Sequence, residues 1–172
     1  ALLAEILATE GYFSPTFEFF EGHGPFRVRI DPGPRTQVAT VDVAVEGSVE
    51  EEVRASLLAE WSLPVGQAFR QNDWNSAKQA ALASLLASEY AAAKLLDSEA
   101  EIDTEARSAH LRARYQAGPR YRFGELRITG LQRYTPELIA RYNKNVKVGT
   151  PYREALLNEL QSTLQSSPYF SS

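Results

Sequence analysis

The chain has 172 residues, 44% of them apolar and 23% charged, which is material for one ordinary domain or two small ones. No apolar run approaches the roughly 18 residues that span a bilayer, and the lack of cysteine excludes thiolate metal sites, disulfides and cysteine nucleophiles. The net charge of -4 hides a split, because residues 107–153 carry 11 Lys/Arg against 2 Asp/Glu (+9) and the remainder 7 against 20 (-13). Such asymmetry marks a nucleic-acid or membrane-surface patch, or simply a solvated face. There is no initiator methionine and no leader pattern. Ala1 falls inside an amphipathic series with Leu2, Leu3, Ile6 and Leu7, so the sequence reads as a piece of a longer protein.

In chain order, residues 1–10 form an amphipathic helix, followed by a strand over 16–21, a turn at Gly22-His23-Gly24-Pro25 and a strand over 26–31. In that last strand Phe26, Val28 and Ile30 face one way and Arg27, Arg29 and Asp31 the other. Val41, Val43 and Val45 alternate with polar or small residues in a half-buried strand over 36–46, which Gly47 ends. Ser48 with Glu51 makes a capping box for a helix carrying Val53, Leu57 and Trp61. Leu63-Pro64-Val65-Gly66 breaks that helix, and a second starts near Asn72 or Asp73 with Trp74, Ala77, Ala81, Leu85 and Tyr90 on or near one stripe.

Residues 95–103 and 108–116 then read as strands, the second with Leu111, Ala113 and Tyr115 on its apolar side. A strand is predicted over 121–129, then a helix capped by Thr135 with Pro136 at its first position. After a break at Gly149, a helix beginning at Thr150-Pro151 carries Leu156, Leu157, Leu160 and Leu164.

The landmarks recur. Tyr follows a helical stretch at Tyr12, Tyr90 and Tyr169, while Gly33-Pro34-Arg35 returns as Gly118-Pro119-Arg120, Gly47 as Gly130, and Val65-Gly66 as Val148-Gly149. A period near 80 exceeds the roughly 20 to 50 residues of solenoid repeats, so it reads as small domains in a row. The middle unit has the order strand, helix, helix, strand, strand. The first supplies the second half of that order and the third its first half, so two closing strands are expected beyond Ser172.

Tandem units of this order resemble polypeptide-transport-associated (POTRA) domains. Gly118-Pro119-Arg120-Tyr121-Arg122-Phe123-Gly124, with Leu126, Ile128 and Thr129-Gly130 following, resembles the start of the third such domain in the TamA-like family, the outer-membrane component of the translocation and assembly module. The family pattern of Gly before the landmark Tyr is met only at Gly11, with Glu89 and Pro168 in the other repeats.

The resemblance implies an α+β fold of tandem β-α-α-β-β domains, each a three-stranded sheet with two helices on one face. Residues 1–34 would be the C-terminal half of a first domain, 35–118 a complete second, and 119–172 the N-terminal part of a third. It further implies a periplasmic location beside an outer-membrane β-barrel of the same protein, a role in inserting proteins such as autotransporters, no cofactor or ATP, and no catalytic residues. The implied partners are unfolded outer-membrane client polypeptides and a protein anchored in the inner membrane.

A small sheet leaves edge strands with unpaired backbone groups that accept an added strand. The implied edges are Thr16, Phe17, Glu18, Phe19 and Phe20 in the first unit, and residues 95–103 in the second, with Leu95, Asp97 and Glu99 as its binding candidates. The aromatic edge is the better candidate, because charge on the acidic one (Asp97, Glu99, Glu101, Asp103) usually blunts pairing.

Catalysis and metal binding lack support: His23 and His110 have no second ligand or triad partner at suitable spacing. The alternative of a different class is single-stranded nucleic-acid or membrane-surface binding through the basic 107–153 region. It interleaves Tyr115, Tyr121, Phe123, Tyr134 and Tyr142 with cations, although no nucleic acid is expected as a partner.

Overall fold

Valines at alternate positions and a strand of small and aromatic residues build the centre of the molecule. The computed structural model describes residues 2–20 and 27–169, so the predicted turn, its His23 and Phe26 lie outside the described residues. The elements are α1 (Leu2–Thr9), β1 (Thr16–Phe20), β2 (Arg27–Asp31), β3 (Gln37–Glu46), α2 (Glu51–Ala59), α3 (Gln71–Ala87), β4 (Lys94–Asp103), β5 (Ser108–Gln116), α4 (Pro136–Tyr142) and α5 (Glu154–Gln165). The fold is α+β, and the β-α-α-β-β order is complete once, from β3 to β5.

The central sheet has the order β3-β5-β4. β5 pairs in parallel with β3 and antiparallel with β4, with irregularities after Val38 and after Leu95 that keep the apolar residues on one face. That face carries Val38, Val45, Leu111, Ala113 and Tyr115, and α2 and α3 cover it with Leu57, Trp74, Ala77, Ala81 and Leu85. Val43, Trp74, Leu85 and Leu111, each read from its own element's apolar pattern, all belong to this core, Val43 as a half-buried member. Trp61, just past α2, meets Trp74 edge-on at 5.9 Å.

Three local expectations need correction. Ser48 is not a cap: α2 starts at Glu51 with Glu50 in the capping position and no side-chain cap. The Glu50 N–H instead donates to the Tyr90 hydroxyl at 3.1 Å, a partner 40 residues away that replaces the local box. Residues 121–129 form no strand, since only an isolated bridge joins Arg122 to Pro151. α5 starts at Glu154, not Thr150-Pro151, because Thr150 accepts from Phe123 N–H and Pro151 lies in that bridge.

The backbone nevertheless repeats. Thr36 N–H donates to Gly11 O, Phe69 N–H to Thr36 O, Val38 N–H to Gln67 O and Gly66 N–H to Val38 O, at 2.8–2.9 Å. The same four bonds recur, at 2.8–3.0 Å, as Tyr121 to Glu89, Tyr152 to Tyr121, Phe123 to Thr150 and Gly149 to Phe123. Each glycine sits at positive φ, 88° for Gly66 and 82° for Gly149, a turn that other residues reach only with strain.

Candidate strand-docking edges

The two edges of the central sheet are unequal. β3 is closed from both ends: the loop before α3 takes both backbone groups of Val38, and at the other end Arg54 of α2 donates to Val45 O at 3.0 Å. Glu46 O accepts from Ala117 N–H on the β5 side, so the preceding Val45 carbonyl points to the free side, where the guanidinium covers it. On β4, no backbone hydrogen bond from outside the sheet reaches the strand among the described residues. Ten residues of edge therefore stand open, with Leu95, Ala100 and Ile102 half-buried along their inner side. On that side Lys78 of α3 donates from Nζ to Ser98 Oγ at 3.2 Å.

The predicted acidic residues lie on the opposite face, which no helix covers among the described residues. Glu99 pairs with Arg112 and Asp42 with Arg114, the latter through two bonds of 2.9 and 2.5 Å. The Arg114 hydrogen bond holds the Asp42 carboxyl below its ordinary range, against a smaller opposing effect of burial. Asp103 accepts from the N–H groups of Glu105 and Ala106 and shapes the turn into β5. His110 sits on this face between Thr40 and Ser108, opposite Glu101.

The sequence-predicted aromatic edge is β1, paired only with β2 among the described residues. Its register sets Phe17 opposite Ile30 and Phe19 opposite Val28 on one face, with Glu18 opposite Arg29 on the other. Phe19 and Phe20 are exposed, and Arg29 stacks over Phe20 at 5.4 Å. Thus the structure puts Thr16–Phe20 on one edge strand and Leu95, Asp97 and Glu99 on another, as separate sites.

Sequence reasoning missed the arginines. Besides Arg54, Arg120 bonds Glu89 at 2.6 Å and Glu50 at 2.8 Å, tying the start of the closing segment to the central unit. That contact lowers the pKa of Glu89 and raises that of Arg120. At the matching place Arg35 lies over Tyr12 at 4.7 Å, and Arg70 bonds Glu10 at 2.7 Å. The repeated Gly-Pro-Arg was the available signal. Gly11 is fixed there sterically, since a Cβ would stand 2.1 Å from Phe69 O.

Within the basic region, Tyr115 and Phe123 are turned inward. Tyr115 is fully buried, and Phe123 packs on Tyr152 at 5.5 Å. Arg112, Arg114 and Arg120 are spent on carboxylates. Arg127, Arg133, Arg141, Lys144, Lys147 and Arg153 remain exposed on the closing segment. Beside them a groove of about 500 Å³ runs between residues 124–128 and α4, lined by Leu126, Ile128, Ala140, Val146 and Val148. Among the described residues no helix is long and apolar enough to cross a membrane, and no cluster of metal-binding side chains occurs.

No family model matches the chain. Among solved structures it is similar to Haemophilus influenzae BamA POTRA3-5, with a TM-score of 0.59 and 18% identity over 99% of this chain and 68% of that one. It is also similar to Haemophilus ducreyi BamA lacking POTRA domains 1-3, with a TM-score of 0.62 and 14% identity over 79% of this chain but only 25% of that one. At these identities the likeness concerns the fold, and the chain is built on the POTRA fold.

Proposed function

We propose that the chain is part of the periplasmic region of an outer-membrane protein assembly or translocation factor, where it binds client or partner polypeptides by strand addition. In this reading residues 1–34, 35–118 and 119–172 are the end of one POTRA-like domain, a complete second and the beginning of a third. The whole protein would resemble the TamA-like family, with a β-barrel in the outer membrane, unfolded outer-membrane clients including autotransporters, and a partner protein anchored in the inner membrane. Its work would be binding rather than catalysis.

The observation that carries this reading is a sheet on the POTRA fold with one edge closed and the other, β4, open over ten residues. β1 offers a second, aromatic edge. Backbone pairing is tolerant of sequence, as handling of many unfolded clients requires. A membrane-surface role for the closing segment stands beside it, supported by the exposed cations there. The nucleic-acid alternative is weaker, because Tyr115 and Phe123 pack inward.

The test places a photo-crosslinking residue at Phe19 or at Leu96 and adds an outer-membrane barrel protein diluted from urea. Adducts at either edge, lost when Phe19→Pro or Ala100→Pro removes a backbone donor in a chain that stays folded, support the proposal. No adduct at either edge overturns it.

A further inference from the structure

The open edge of the central sheet has two different sides. Along its inner side, Leu95, Ala100 and Ile102 are half-buried hydrophobics at the margin of the core, where no further strand covers them among the described residues. On its outer side Asp97, Glu99, Glu101 and Asp103 project from alternate positions, and the two other strands add Asp42 and Glu46, against the cations Lys94, Arg112 and Arg114. Glu99 is paired and Asp103 shapes its turn, but among the described residues no side-chain hydrogen bond or ion pair engages Asp97 or Glu101, although Asp97 lies within electrostatic reach of Arg114. An added strand must present alternate side chains to these two sides, because its register permits nothing else.

We propose that β4 accepts an extended polypeptide in which basic residues alternate with apolar ones. The apolar set continues the sheet's core face past Leu95, Ala100 and Ile102, and the basic set stands cross-strand from Asp97, Glu99 and Glu101. Near Ser98 the inner row meets Lys78, so a small or hydrogen-bond-accepting residue fits there and a second cation does not. This inference rests on the strand-addition reading and assigns a sequence class to one of its edges. The acidic row then selects among strands, rather than merely blunting the edge.

The probe is a fluorescent peptide of about eight residues alternating Lys with Val, titrated against the 172-residue chain at low salt and followed by anisotropy. Binding about tenfold tighter than that of the Glu/Val counterpart is expected, as several exposed ion pairs of modest strength act together. Asp97→Lys with Glu101→Lys, checked for folding by circular dichroism, should reverse the preference. Two further Lys/Val peptides carry N-methyl groups, on the Lys nitrogens in one and on the Val nitrogens in the other. Only one of the two sets faces β4, so only one peptide should lose binding. Equal binding of Lys/Val and Glu/Val peptides would leave strand addition standing and overturn the basic class. Binding of neither peptide overturns both, and retention of binding by both methylated peptides reduces the contact to simple charge attraction and overturns the proposal.

Discussion

β3 and residues 121–130 begin alike and end differently. Both open with the same four backbone bonds, to the residue before a landmark Tyr and to the loop before the second helix. β3 then continues as a ten-residue strand because β5 lies beside it in register from Gln37–Ser108 to Glu46–Gln116. Residues 121–130 have no such neighbour among the described residues and stop at a single bridge, although Tyr121, Phe123, Leu126 and Ile128 promise a strand as clearly as the valines do. Periodicity therefore specifies a surface ready for pairing, and the partner makes the strand. On the proposed reading, the open edge of β4 is the same property turned to use.

Core truncation tests the comparison with the largest effect. Trp74→Ala should cost about 3–5 kcal/mol in denaturant unfolding followed by far-UV circular dichroism. Leu126→Ala, in the segment without a partner strand, should cost less than about 1 kcal/mol. Equal losses would mean that residues 121–130 are as well packed as the central sheet.

The first joint comes next. Gly11→Ala should cost about 2–3 kcal/mol, because its Cβ meets a backbone carbonyl and its positive φ suits only glycine. The corresponding position in the second joint is Glu89, where Glu89→Ala should cost less, since a side chain is already accommodated.

Tyr115→Phe should cost about 1 kcal/mol at neutral pH by removing the hydroxyl's bond to Lys78 O. Burial raises the Tyr115 pKa from 10.0 to about 12. Its contribution is thus fully present below 10.0 and lost as pH rises through about 12, so the variant should lose less stability between pH 10 and 12 than the parent does.

The smallest effect belongs to Glu89→Gln, which should cost under about 1 kcal/mol because Arg120 is partly exposed. The Glu89 pKa is lowered, so this stabilisation is present above the ordinary value of 4.5 and lost as pH falls through the depressed one. The variant's denaturation midpoint should vary less with pH in that range.

Much of the fold was legible in the sequence where pattern and partner coincide. β5 spans the predicted residues 108–116, and β3 and β4 lie within one residue of theirs. The cap of α2 was not legible, because the group that satisfies Glu50 N–H is Tyr90, far along the chain. The start of α5 was legible in the spacing rather than in the Thr-Pro pair: α3 begins five residues after Gly66, and α5 begins five residues after Gly149. At the candidate site, the edge strands were implied by the resemblance to POTRA domains, and β4 does lie at the end of its sheet. Closure of β3 by Arg54 and the outward placement of the acidic row were not legible, since both depend on how α2 and β5 lie against their neighbours.

Backbone amide hydrogen exchange, read residue by residue on the intact chain, tests the central claim most directly. Partner-made strands predict continuous alternating protection through residues 37–46, and over residues 121–130 slow exchange only at Tyr121 and Phe123, with Gly149 and Tyr152 opposite them. Slow exchange running unbroken from Arg122 to Thr129 would contradict it.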